Sequence, residues 1–290
     1  MLELIDLDIV SLGYTRFISA WLYQGNEGAF LVDPGPACTI NHLLESLEKR
    51  NVSHLDWILL THIHMDHAGG IGHLVERFPE ARVVCHEAAV KHLMNPDRLW
   101  EGSLKVLGDV ARVYGKIKSV PLANIMTVGQ VPFGDGIKVI PTPGHAAHHQ
   151  CFVWKDILFC GELFGIFHQL DKSIYLRPAT PPVFVLDDFL RSMDAIAPYA
   201  DCCRVCFSHY GTGADGVAVL EAARQQLLLW VDVIGRHRDD SDMDTIIGDL
   251  SDKDPVFARK SLLPQKLYNR EMHFSVNSIQ GILGYLNRCG

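Results

Sequence analysis

Residues 61–67 read Thr61-His62-Ile63-His64-Met65-Asp66-His67, three imidazoles and a carboxylate within six positions. Neutral imidazole nitrogen and carboxylate oxygen are the ligands taken by borderline divalent ions such as zinc or ferrous iron. Without an ion, each group would need a hydrogen-bond partner once buried, and the aspartate a compensating charge. The neighbours point to burial. Leu55, Trp57, Ile58, Leu59 and Leu60 form an apolar run of strand length, and Ala68-Gly69-Gly70-Ile71 opens a helical pattern reaching Phe78. The cluster therefore belongs in the turn from a strand's carboxyl end to a helix N-terminus, where open α/β sheets place their chemistry.

Adjacent side chains diverge, so such a loop needs ligands from other strand ends. Three places offer them. Pro141-Thr142-Pro143-Gly144-His145 ends a strand in a rigid turn, Phe159-Cys160-Gly161-Glu162 ends another with a carboxylate, and Ser208-His209-Tyr210-Gly211 ends a late strand with an imidazole. In each, an apolar strand is followed at once by a metal-type side chain close to a glycine.

The positioning elements follow from periodicity. Residues 17–23 and 29–32 read as strands around the turn Gly25-Asn26-Glu27-Gly28, and residues 39–49 as a helix with Leu43, Leu44 and Leu47 on one face. A strand over 81–85 follows the metal loop and its helix. Residues 86–127 change character, with helices expected over 86–94 and 99–114. Strands return at 136–141, 150–154 and 157–160. A helix covers 187–196, a late strand 204–207, and everything after Asp215 reads as helical, including 217–236 and about 277–286. Strands in two groups with helices between and after them suggest a layered α/β domain over 1–215. Residues 86–127 would be a helical lid insertion, and 216–290 a helical C-terminal extension packed on the domain.

The chain has 290 residues, 48% of them apolar and 21% charged, within the range of ordinary globular proteins. A net charge of −8 argues against nucleic-acid or anionic-membrane partners. No apolar stretch approaches the roughly 20 residues of a membrane-spanning helix. Glu3, Asp6 and Asp8, with no Lys or Arg in residues 1–10, speak against a secretory leader, so a cytoplasmic location is expected. The eight cysteines then read as reduced thiols. Cys203-Arg204-Val205-Cys206 is formally a C-x-x-C pair, but it falls in a strand, lacks a second pair and reads as buried small hydrophobes beside Cys202.

The order Val32-Asp33-Pro34-Gly35, then Thr61-His-Ile-His-Met-Asp-His-Ala-Gly-Gly, then Thr142-Pro-Gly-His resembles the metallo-β-lactamase superfamily, which includes glyoxalase II-like thioesterases and metal-dependent lactonases. The resemblance spans about residues 17–211. It implies a four-layer αββα sandwich with two divalent ions, zinc foremost and iron or manganese as alternatives. By position, His62, His64 and His145 would hold the first metal, and Asp66, His67 and His209 the second. Glu162 stands where the family has a bridging aspartate. One extra methylene shifts that carboxylate by about a bond length, against a tolerance of about 0.2 Å in metal–oxygen distance. The second ion could then be weak or Glu162 confined to one ion. Asp33 and His149 match positions expected beside the ligands rather than among them.

The implied activity is hydrolysis of an ester-like bond in a small molecule, a lactone or thioester, by water activated on the metal. Asp66 would orient that water and pass its proton to the leaving group, and the Tyr210 hydroxyl would steady a substrate oxygen. The competing readings are an iron oxidoreductase handling oxygen or persulfide at the same site, and a non-catalytic ligand-binding protein. The tail helices suit packing or a homo-oligomer surface. Trp100, Tyr114, Phe167 and Tyr175 are either pocket lining or core. His42, His54, His73, His86, His92, His148, His168, His237 and His273 have no partner spacing and read as surface or packing residues.

Overall fold

A computed structural model describes residues 1–131, 136–201, 204–213, 215–238 and 242–289. The chain divides into two compact units, Met1–Pro141 with His148–Phe152, and Thr142–Ala147 with Val153–Gly290.

The first unit is built on a six-stranded sheet of order β1-β2-β3-β4-β5-β6: β1 (Leu2–Ile9), β2 (Tyr14–Gly25), β3 (Gly28–Val32), β4 (Trp57–Leu59), β5 (Arg82–Val84) and β6 (Ile125–Met126). β1, β2 and β3 pair antiparallel, and β3 to β6 pair parallel. The expected hairpin is the β2–β3 turn, where Gly28 takes φ +108°. Parallel strands are covered on both faces, and Ile58, Leu59, Val83 and Val84 are accordingly all buried. The register sets Val32 against Leu59 and Leu59 against Val84. The carboxyl ends of β3, β4 and β5 therefore stand level, and the loops carrying Asp33 and Thr61 leave side by side.

Helices α1 (Ile40–Lys49), α2 (Met65–Ala68), α3 (Ile71–Arg77), α4 (Val90–Met94), α5 (Asp97–Leu107) and α6 (Asp109–Tyr114) complete this unit, with β7 (Ile137–Pro141) and the start of β8 (Gln150–Trp154). Two expectations are corrected here. The helix after the metal loop begins earlier and is broken at Gly69-Gly70, so Asp66 and His67 lie on a helical turn rather than in a loop. The single helix expected over 99–114 is two, because Gly108 at φ +55° and ψ −121° leaves the helical region. The segment 86–127 also ends in a strand, since β6 pairs with β5 at the sheet edge.

The second unit contains the end of β8, β9 (Ile157–Gly161), β10 (Ile166–Gln169), β11 (Ile174–Arg177), α7 (Leu186–Ala200), β12 (Arg204–Phe207), β13 (Thr212–Gly213), α8 (Gly216–Gly235), α9 (Met243–Lys253) and α10 (Gln265–Cys289). The second sheet runs β13-β12-β9-β8-β7, and β10 and β11 form a separate hairpin. Parallel β9 and β12 end together, with Phe207 opposite Gly161, so Glu162 and His209 leave adjacent strand ends. The tail is helical as expected, with α10 running 25 residues. No helix among the described residues is long and apolar enough to cross a membrane.

Tyr114, Phe167 and Tyr175 are core residues, while Trp100 is half-buried. Cys202 and Cys203 lie outside the described residues. Cys206 is buried, and burial pushes its thiol up to about 12, as it does for Cys85. Such thiols are inert hydrophobes at neutral pH.

Candidate metal centre

In the first unit the site grows from Asp33. This residue follows β3, adopts φ +51° and is fully buried. A side chain in the left-handed region is disfavoured, and the strain persists only where surrounding bonds fix it. Here they do. Asp33 Oδ1 accepts from the Thr61 backbone N–H at 2.9 Å. Oδ2 accepts from the Thr61 hydroxyl at 2.7 Å and from His67 Nδ1 at 3.2 Å. The Thr61 hydroxyl in turn accepts from His62 Nδ1 at 3.1 Å. With its own proton directed to Asp33, the hydroxyl oxygen can only accept from that imidazole. His62 and His67 thus carry their protons on Nδ1, which leaves each Nε2 as a lone-pair donor, the tautomer that a metal requires.

The histidines gather on this scaffold. The rings of His62 and His67 have centroids 4.0 Å apart, and those of His62 and His64 4.6 Å in an edge-on arrangement. One ligand atom of His62 and one of His64 lie within 4.8 Å of each other, as do one of Asp66 and one of His67. Asp66 Oδ2 is 3.7 Å from His67 Nε2. The α2 turn carrying Asp66 and His67 is seated by Gly69, where a Cβ would fall 2.4 Å from the Met65 carbonyl and 2.8 Å from the Ala37 nitrogen. Only glycine fits such a backbone approach.

Residues 148–150 brace the same loop. Gln150 donates from its backbone to Thr61 O at 2.8 Å and from its side chain to Leu60 O at 3.0 Å. Buried His149 stands 5.3 Å from the His62 ring. His148 accepts the Ile63 N–H at 3.4 Å through Nδ1, and its ring is 5.7 Å from His64 and 6.3 Å from His62. Sequence spacing left His148 among the surface and packing residues. Its adjacency to His149 in the Gly-His-x-x-His-His run was the available signal.

The second unit holds the other candidates. His145 Nδ1 donates to the Ala179 carbonyl at 3.0 Å, the same tautomer-fixing arrangement, and its Nε2 is 2.9 Å from Glu162 Oε2. The other oxygen, Oε1, lies 3.9 Å from His209 Nε2. Each carboxylate oxygen thus faces one imidazole. Gly144, at φ +146°, packs so tightly that a Cβ would sit 2.6 Å from the Phe189 ring, which sets where His145 emerges. Tyr210 is half-buried, with its ring stacked at 6.4 Å on His168. His168 itself is a fully buried member of an ionic cluster with Arg177, Arg270 and Glu271, so its packing is polar.

The donor set fits divalent ions. It offers imidazole nitrogens with fixed tautomers and carboxylate oxygens, and those of His62, His67, His145, Glu162 and His209 belong to buried side chains. A model of the Metallo-beta-lactamase superfamily matches residues 13–197. A metallo-beta-lactamase fold-containing protein of Sulfurisphaera tokodaii is 34% identical over 188 residues, covering 62% of this chain and 68% of that protein. A hydroxyacylglutathione hydrolase of Xylella fastidiosa is 35% identical over 150 residues. That match covers half of this chain and 45% of the enzyme, so the chain spans under half of the enzyme's length. Among solved structures, an archaeal metallo-beta-lactamase superfamily protein from Sulfolobus tokodaii superposes with a TM-score of 0.70 at 22% identity, covering 97% of both chains, which shows a shared fold.

Proposed function

This chain belongs to the metallo-beta-lactamase superfamily, and from that premise we propose that it hydrolyses a small-molecule thioester or lactone with two divalent ions. Family and donor set make it a metal-dependent hydrolase. The proposal extends to substrate class, metal number and residue roles. His62, His64 and His145 would hold one ion and Asp66, His67 and His209 the other, with Glu162 available to both. The observation carrying this reading is the tethering of His62, His67 and His145 through Nδ1, which dedicates their Nε2 atoms to ligation.

When bound, such ions would supply Lewis acidity and lower the pKa of water to about 7. The chain's own groups do the rest. Asp66 accepts the proton of the attacking water and returns it to the departing oxygen or sulfur, so the step balances without a Ser or Cys nucleophile. Tyr210 donates its hydroxyl hydrogen to a substrate oxygen. A thioester is the first choice because a relative is named for hydrolysis of one, and a lactone the second by family resemblance.

Metal content per chain after anaerobic purification, followed by parallel assays of thioester hydrolysis, lactone hydrolysis and oxygen uptake, tests the proposal. Two zinc per chain with hydrolysis is expected. Two iron per chain with oxygen uptake and no hydrolysis would overturn it.

A further inference from the structure

The helix α10 lies far along the chain from every candidate ligand, yet it buries Arg270, Glu271, Ser275 and Ser278 among its apolar residues. Glu271 is 1% exposed, Arg270 3%, and both meet residues of the β10–β11 hairpin. Arg177 Nε donates to Glu271 Oε2 at 2.6 Å. Arg270 donates to Glu271 Oε1 through Nε at 3.1 Å and Nη2 at 2.9 Å. His168 Nε2 lies 3.2 Å from Arg270 Nη2 and 3.4 Å from Glu271 Oε1. Ser278, one helical stretch further on, accepts from Arg177 and donates to Pro178 O.

The hairpin held in this way also holds two candidate ligands. Phe167, between Ile166 and His168 on β10, donates to the His209 carbonyl at 2.8 Å and accepts from Tyr210 N at 3.1 Å. The next ring, His168, lies under Tyr210. On the other side, Gly165 donates to the Glu162 carbonyl at 3.0 Å, and a Cβ there would fall 2.1 Å from Arg177 O. Glu162 and His209 are thus attached by backbone bonds to a hairpin whose buried side chains are anchored in α10.

We propose that Glu271, through Arg177 and His168, is the positioning residue for Glu162 and His209, so that α10 sets the affinity of the ion those two ligands hold. This rests on the two-ion reading above. Groups that orient metal ligands typically account for about 10–100-fold in affinity.

The test uses the full chain and zinc, with a competing chelator to resolve each binding step and cobalt substitution to report coordination by its visible spectrum. His209→Ala marks the step to watch. Glu271→Gln is expected to weaken that same step about tenfold or more and alter the cobalt spectrum, with the other step, which shares Glu162 but not His209, weakened less. His168→Phe keeps a ring beneath Tyr210 but cuts the link to α10. It should shift the same step in the same direction, and it carries the test if Glu271→Gln fails to give a native circular dichroism spectrum. Unchanged metal steps in a folded variant, whatever the loss of thermal stability, would reduce the cluster to a structural clamp and overturn the proposal. A wild-type chain that binds no zinc would instead overturn the metal reading, and this inference with it.

Discussion

Asp33 shows how much a single carboxylate decides. Both of its oxygens face N–H donors, the Thr61 backbone on one side and His67 Nδ1 on the other. Asp33→Asn must therefore turn an amide NH2 toward a donor whichever way it flips. A buried donor left facing a donor costs about 1–3 kcal/mol. Metal affinity is expected to fall about 10–100-fold, read by chelator competition, because His67 loses its tautomer-fixing partner. Glu162→Gln tests the shared carboxylate: an amide nitrogen does not ligate, so stoichiometry should drop from two ions to one, with hydrolysis reduced about 100-fold or more. A variant retaining two ions at wild-type affinity would remove Glu162 from the ligand set. Asp33, like the candidate ligand histidines, was legible in the sequence because its neighbours Val32, Pro34 and Gly35 form a pattern. Its function as the anchor of Thr61 and His67 was not, since that depends on β3 and β4 ending level.

At the scale of elements, two glycines make opposite demands. Gly69 closes the α2 turn against backbone atoms of Met65 and Ala37 that cannot move independently. Gly69→Ala should destabilise the chain by about 1–3 kcal/mol, by analogy with overpacked cores. It should also weaken metal binding, since α2 carries Asp66 and His67. Gly108 has no atom within 4 Å of its would-be Cβ, but its positive φ is unfavourable for alanine. Gly108→Ala should lower the urea midpoint slightly and leave metal affinity untouched. Loss of metal affinity in Gly108→Ala would tie the α5–α6 break to the site. Hydrophobic periodicity found most strands and the ends of the metal loop. It missed β1, β6 and β13, and also β10 and β11, where Ile166-Phe167-His168-Gln169 mixes apolar and polar residues on both faces and Ile174-Tyr175-Leu176-Arg177 sets Arg177 on the face of Tyr175. For β10 and β11 the reason is the buried ionic cluster, which places His168 and Arg177 where a pattern reader expects apolar side chains.

For the whole molecule, acid sensitivity follows from the α10 cluster. Burial foremost, opposed by Glu271, holds the His168 pKa below its ordinary value of 6.5. Burial pushes the Glu271 carboxyl up, but Arg177 and Arg270 outweigh it and hold it well below the usual carboxylate range. Both groups are depressed in the fold, so the unfolded chain binds more protons wherever the two states differ. Their stability contribution is complete above about pH 6.5 for His168 and about pH 4.5 for Glu271, and it declines as pH falls through each folded value. The urea midpoint of metal-stripped protein should drop from pH 7 toward pH 4, and His168→Phe should flatten the upper part of that drop. An unchanged slope in His168→Phe would assign the drop to other groups. The sequence by itself determined the family, the ligand types and their order, because a metal demands particular atoms and those atoms are visible as residue types at strand ends. Tertiary structure decided which nitrogen His62, His67 and His145 offer, that both Glu162 oxygens face histidines, and that α10 reaches the hairpin holding Glu162 and His209. Those features depend on hydrogen bonds between residues some 30 to 100 positions apart, from Asp33–Thr61 to His168–Arg270, and no local pattern encodes such pairings.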